Sequence, residues 1–196
     1  CISLFPVNQD YSFQTPLFGG LIPLKIDIVL TIIFWTFVIN STNFIDGYDG
    51  MFSFQIITNF FGLTFIFFMI DEIFHFKVSM LMLFIGILFI PFNLGKKFKM
   101  YIGDAGSIPS GFILGWMLIS LINMGYYMSA IFINFLFLAD VMFTLMSRLA
   151  KRKSIFERHN DFLFKKIILK YGEKKYFAYA IPFQVIMIIL SISFID

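Results

Sequence analysis

Asn40-Ser41-Thr42-Asn43-Phe44-Ile45-Asp46-Gly47-Tyr48-Asp49-Gly50 gathers two amides and two carboxylates in one short stretch of a chain that is 59% apolar and 14% charged. Oxygen-bearing side chains are costly in hydrocarbon, so such a cluster belongs at a membrane surface or in a protein interior. The sequence on either side decides for the membrane. An apolar run from about Leu24 to Ile39 precedes the cluster, and another from Met51 to Ile70 follows it. Further runs span about Val78–Leu94, Ile108–Met124, Tyr127–Met146 and Tyr176–Ile195. Each approaches the ~20 residues that a helix needs to cross a bilayer. The mean hydropathy of +0.87 agrees. The expectation is an all-α, polytopic membrane helix bundle with about six spans, residues 1–196 forming one integral membrane domain. The 30 Phe are given no functional weight, and the lone Cys1 excludes an internal disulfide and any cysteine-based zinc site. Residues 1–23, punctuated by Pro6, Pro16, Gly19, Gly20 and Pro23, read as a loop.

Charge orients the bundle. Of 15 Lys and Arg, all but Lys25 and Lys77 fall in two segments: Lys96, Lys97 and Lys99, and the stretch from Arg148 to Lys175. With six crossings, these segments and the Asn40–Gly50 stretch share a side, and the positive-inside rule makes it cytoplasmic. Residues 148–175 are thus a basic cytoplasmic loop. Within it, Phe164, Ile167, Ile168 and Tyr171 follow helical spacing, with Asn160 or Asp161 as cap and Gly172 as stop. This predicts a short amphipathic helix at the interface, most of its lysines serving as a membrane anchor. Arg158-His159 lies in the irregular part of the loop, where an Arg can grip phosphate. His75, beside Asp71 and Glu72 in an outer loop, is assigned nothing.

Asn40, Asn43, Asp46 and Asp49 step by three, a spacing that overlaps neighbours on a helix face. Their oxygens form a hard-ligand set suited to Mg²⁺ or Mn²⁺. A capping turn explains one such residue; four so close together favour a site. Tyr101-Ile-Gly-Asp104-Ala-Gly-Ser107 is a second polar island, with Ser107 placed as N-cap of the run that follows and Asp104 as cap or metal ligand at an anion-attracting helix start. Asp140 sits inside the fifth run, where a charged carboxylate costs roughly 2.5–3.5 kcal/mol, so it should face the bundle interior and bond a neighbouring helix or a basic residue.

These residues resemble a known family. N-S-T-N-F-I-D-G-Y-D-G-M is similar to the Asn-Ala-x-Asn-Phe-x-Asp-Gly-x-Asp-Gly-Leu motif of the polyprenyl-phosphate N-acetylhexosamine-1-phosphate transferases. Y-I-G-D-A-G-S resembles their Phe-x-Gly-Asp-Ala/Thr-Gly-Ser motif, and the Asp140–Arg148 segment with its K-S-I-F resembles the Asp-Thr helix leading to Lys-Ser-Pro-Phe. The resemblance implies transfer of a sugar-1-phosphate from a UDP-sugar to a polyprenyl (undecaprenyl) phosphate, releasing UMP, on the cytoplasmic face of a bacterial inner membrane. It implies Mg²⁺, or Mn²⁺ in its place, held by Asn43 and Asp104, with Asp46 and Asp104 as the catalytic carboxylates. Asn40, Asp49, Arg158 and His159 would bind substrate, Asp49 at the uracil. The implied partners are the nucleotide sugar, the lipid phosphate, the bilayer and a second copy of the chain in a homodimer, with no nucleic acid.

Two departures stand out. The family's paired aspartates upstream of the first motif have no counterpart, since residues 1–39 hold only Asp10 and Asp27. The expectation is an N-terminally truncated fragment of a larger transferase, inactive alone. The family's histidine-rich loop is reduced to His159, with Phe162 where one subgroup carries a second histidine. Two rival readings are a transporter using Asp140 within the membrane and a non-catalytic scaffold derived from the enzyme.

Overall fold

The computed structural model describes residues 23–95, 99–152 and 162–195. Among them are eight helices: α1 (Leu24–Ile45), α2 (Met51–Met69), α3 (Ile73–Asn93), α4 (Gly103–Asn123), α5 (Tyr127–Ile133), α6 (Phe135–Ala150), α7 (Leu163–Tyr171) and α8 (Glu173–Ser193). The described residues include no strand. Among the described residues five helices are long and apolar enough to cross a membrane, or six if α5 and α6, which meet at a 73° bend, count as one span. The chain is an integral membrane helix bundle. Its lipid-facing surface is apolar because no water is there to reward polar groups: Ile32, Ile33, Leu81, Leu88 and Ile189 are exposed.

Helix α2 is the centre. Phe52, Phe60, Leu63, Ile66 and Phe67 are completely buried, with α3 packed along one side and α4, α5 and α8 on others. Helix α1 lies against α4 through two missing side chains. A Cβ on Gly111 would stand 2.8 Å from the Ile39 Cα, and one on Gly115 would stand 2.4 Å from the Trp35 ring. Small residues four apart let two membrane helices approach backbone to backbone. The Trp35 indole N–H then donates to the Phe112 carbonyl at 2.9 Å. This contact brings the first polar island to the second.

Several boundaries differ from the sequence expectation. Helix α1 runs six residues past Ile39 to Ile45, so Asn40 and Asn43 stand on a helix and only Asp46–Gly50 turns. The polar side chains do not end it because they bond back to it: Asn40 to the Thr36 carbonyl, Ser41 and Thr42 to that of Val38. Helix α3 starts at Ile73, which puts His75 in its first turn rather than in a loop, between Phe67 and Trp116. Helix α4 starts at Gly103, so Ser107 is not its N-cap; its hydroxyl donates to the Gly103 carbonyl inside the first turn.

The bend between α5 and α6 falls at Asn134, not at any proline. A broken helix frees backbone groups that hydrocarbon cannot satisfy. Here one side chain from another helix reaches a freed carbonyl and a second braces the Asn134 side chain. Gln184 of α8 donates to the Ile133 carbonyl at 2.7 Å, and Asn59 of α2 donates to the Asn134 side-chain oxygen at 3.0 Å. All three amide residues are completely buried. Ser129 and Ser191 exchange hydroxyl-to-carbonyl bonds at 2.7 and 2.9 Å and pin α5 to α8. The expected amphipathic helix is α7, closed by Gly172 with φ 85°. Asn160 and Asp161, expected to cap it, lie outside the described residues.

Candidate active site

The C-termini of α1 and α3 and the N-termini of α2, α4, α7 and α8 lie at one end of the bundle, and the two polar islands meet there. Asn43 Nδ2 donates to Asp104 Oδ1 at 3.0 Å, although 61 positions separate them. Asn43 projects from the last turn of α1 and Asp104 from the first turn of α4, so the pair depends on the close α1–α4 packing. Asp46 accepts from the Ile102 amide at 3.2 Å and the Gly103 amide at 2.7 Å, one with each carboxylate oxygen. It therefore does what a capping side chain would do for α4, whose own N-cap Ile102 makes no side-chain bond. Gly103 enters the helix at φ 63°, a left-handed conformation that a side chain would strain.

Asp49 faces the segment just upstream. Lys99 Nζ lies 2.7 Å from its Oδ2 and 2.6 Å from its Oδ1, and the Tyr101 hydroxyl donates to Oδ1 at 3.1 Å. The Asp49 carboxylate, as hydrogen-bond partner, raises the Lys99 ammonium above its ordinary value. An ionised carboxylate offers about four lone-pair sites, so Asp49 keeps acceptor capacity on Oδ2. Asn40 stands one turn before Asn43, exposed, its amide bonded to its own helix at Thr36. Arg158 and His159, like Lys96 and Lys97, lie outside the described residues.

The donor set suits a hard cation. Among the described residues no three His, Cys, Asp or Glu converge. Mg²⁺ asks for less: one or two protein oxygens, with phosphates and water filling the remaining positions. Asp104 is exposed and Asn43 half-buried, so the pair is open to a ligand on the outer side. An amide's nitrogen and oxygen differ by a half-turn. That half-turn at Asn43 would put Oδ1 beside the Asp104 carboxylate, two oxygens on one point.

Sequence reasoning did not name Tyr101 as a partner of Asp49, nor Asn93, whose Oδ1 accepts from the Ser53 amide at the start of α2 at 3.3 Å. Tyr101 could have been found from its two-residue spacing to Lys99, which in non-helical chain turns both side chains one way. Asn93 carried the plainer signal of an amide ending an apolar run.

Asn43 and Asp104, and the Asp46 and Asp49 carboxylates with their partners on residues 99–103, thus lie at one end of a membrane helix bundle. The profile of glycosyl transferase family 4 matches residues 2–122, more than half of the sequence, and the chain belongs to that family. It is similar to the phospho-N-acetylmuramoyl-pentapeptide-transferases of Staphylococcus aureus strains JH9 and Newman, at 29% identity over 141 residues, or 71% of this chain and 43% of each relative. The chain thus spans less than half the length of these relatives. No solved structure matches it significantly.

Proposed function

We propose that this site transfers an N-acetylhexosamine-1-phosphate from a UDP-sugar to a polyprenyl phosphate, releasing UMP. A terminal oxygen of the lipid phosphate attacks the sugar-bearing phosphorus. A new diphosphate bond forms as the bond to the bridging oxygen breaks, and UMP leaves with that oxygen. The observation that carries the reading is the meeting of Asn43 with Asp104 at 3.0 Å, which joins the two motifs most characteristic of the family. Such chemistry needs little covalent help from a protein and much positioning and charge neutralisation.

Asn43 and Asp104 would hold Mg²⁺ (or Mn²⁺), which when bound neutralises charge on the donor diphosphate. Asp46 holds the first amides of α4 and so fixes Asp104 in place. Asp49, oriented by Lys99 and Tyr101, presents a carboxylate oxygen suited to the N–H of a uracil ring. The basic segments flanking this end of the bundle favour the cytoplasmic face of a bacterial inner membrane. The transporter reading draws less support, because Asp140 is engaged with a backbone amide of α7.

The test uses the full-length protein with UDP-N-acetylhexosamine, undecaprenyl phosphate and Mg²⁺. The proposal expects UMP release that Asp104→Asn abolishes; undiminished release by that variant would sink the metal assignment.

A further inference from the structure

The interfacial helix α7 is fastened to the turn that carries the site. Its N-cap residue, Phe162, makes no side-chain hydrogen bond. The Phe164 amide donates instead to Asp140 Oδ1 at 2.9 Å, a residue of α6 lying 24 positions upstream. A carboxylate at a helix start satisfies an otherwise unpaired N–H and complements the helix dipole. The next residue makes the second fastening. Lys165 is only 9% exposed, unlike Lys166 and Lys170 on the same helix, which face outward as anchor lysines do. Its ammonium lies 5.1 Å from the centre of the Tyr48 ring and 5.2 Å from that of Phe162. Phe164 meets Tyr48 edge-on at 5.5 Å. Tyr48 stands between Gly47 and Asp49, inside the turn of the first motif. Cation–π attraction strengthens as the cation leaves water.

We propose that Asp140 and Lys165 are positioning residues that dock α7 onto the Asp46–Gly50 turn, making α7 a fixed wall beside the segment that receives the donor nucleotide. The docking stands on the contacts themselves; its effect on turnover rests on the transferase reading. Neither residue touches the reacting atoms. Asp140 acts through the start of α7, and Lys165 acts through Tyr48.

Ile168 reports the docking, because it is 7% exposed on α7 and packs with Phe137, Val141 and Tyr176. In the full-length protein carrying Cys1→Ser and Ile168→Cys, a water-soluble maleimide should label position 168 slowly. Asp140→Ala and Lys165→Met should each speed labelling about tenfold, the loss expected of one charge-assisted contact. Asp140→Asn keeps an acceptor oxygen and Lys165→Arg keeps the cation, so both should restore slow labelling. Equal rates in all five proteins would overturn the docking. Lys165→Met removes only the charged tip and remains informative if Asp140→Ala does not fold. In the UMP-release assay, both disruptive variants should raise KM for the nucleotide sugar with kcat little changed. A merely structural loss would lower kcat at constant KM and would overturn the positioning role. If the parent protein releases no UMP, the transferase reading fails, while labelling still decides the docking.

Discussion

Asp46 gives both carboxylate oxygens to the chain 56 and 57 positions later, accepting from the Ile102 and Gly103 amides. A side chain that satisfies the start of a helix from outside it couples two elements that local sequence keeps apart. Asp46→Ala should leave both amides unpaired and destabilise the protein by about 1–3 kcal/mol. Asp46→Asn, which retains one acceptor oxygen, should lose less than half of that. Thermal unfolding in detergent measures both, and equal melting of wild type and Asp46→Ala would refute the coupling.

The α1–α4 seam should be intolerant of volume. A side chain at Gly111 meets backbone of Ile39, which has no rotamer to move into. Gly111→Val should cost about 1–3 kcal/mol or more by overpacking, and should part Asn43 from Asp104. Gly125→Ala lies where a Cβ meets nothing within 4 Å, so only its φ of 93° opposes the change. Comparing melting temperatures and Mg²⁺-dependent protection of the two variants separates packing from backbone strain. A Gly111→Val protein that melts like wild type would remove the seam as the cause of the pairing.

The bend between α5 and α6 should depend on its amide supports. Gln184→Leu keeps volume but strands the Ile133 carbonyl, a buried acceptor whose isolation costs about 1–3 kcal/mol. Unfolding in detergent should show that loss. Ile186→Leu, exposed on the same helix, should show none.

The Lys99–Asp49 pair is exposed and should matter little for stability. Its pH dependence has a definite sign. Asp49 raises the Lys99 value, so the pair's contribution is complete below the ordinary lysine value of 10.5 and disappears as pH rises through the raised one. The melting difference between wild type and Lys99→Met should therefore be small and flat from about pH 7 to pH 9. It should also shrink with added salt. A difference growing across that pH window would contradict the pairing.

How far the sequence carried the fold can be argued from single residues. Apolar runs of span length are legible one by one because hydrocarbon leaves the backbone no alternative to a helix. Runs that end in Asn or Ser are legible only to within a turn, since those side chains bond back to their own helix and let it continue, as at Asn40–Thr42. The bend at Asn134 was not read, because no glycine or proline marks it. Three lone amides in apolar runs, at positions 59, 134 and 184, were its only trace. The site residues Asn43, Asp46, Asp49 and Asp104 were legible as motifs. Their partition was not: which carboxylate caps a helix, which meets a lysine and which meets Asn43 depends on contacts across 50 or more residues.

Helices α2, α4 and α7 all begin at the site end without a capping side chain of their own, and each borrows one from elsewhere in the chain: Asn93 at the end of α3, Asp46 just after α1, and Asp140 within α6. A chain made from its N-terminus onward meets these debts at different times. The caps of α4 and α7 are already synthesised when those helices emerge, whereas α2 must wait for the far end of α3. The hairpin of α2 and α3 is therefore the unit that has to be inserted whole before the first motif acquires its final shape. The starts of α4 and α7 then close onto partners already made.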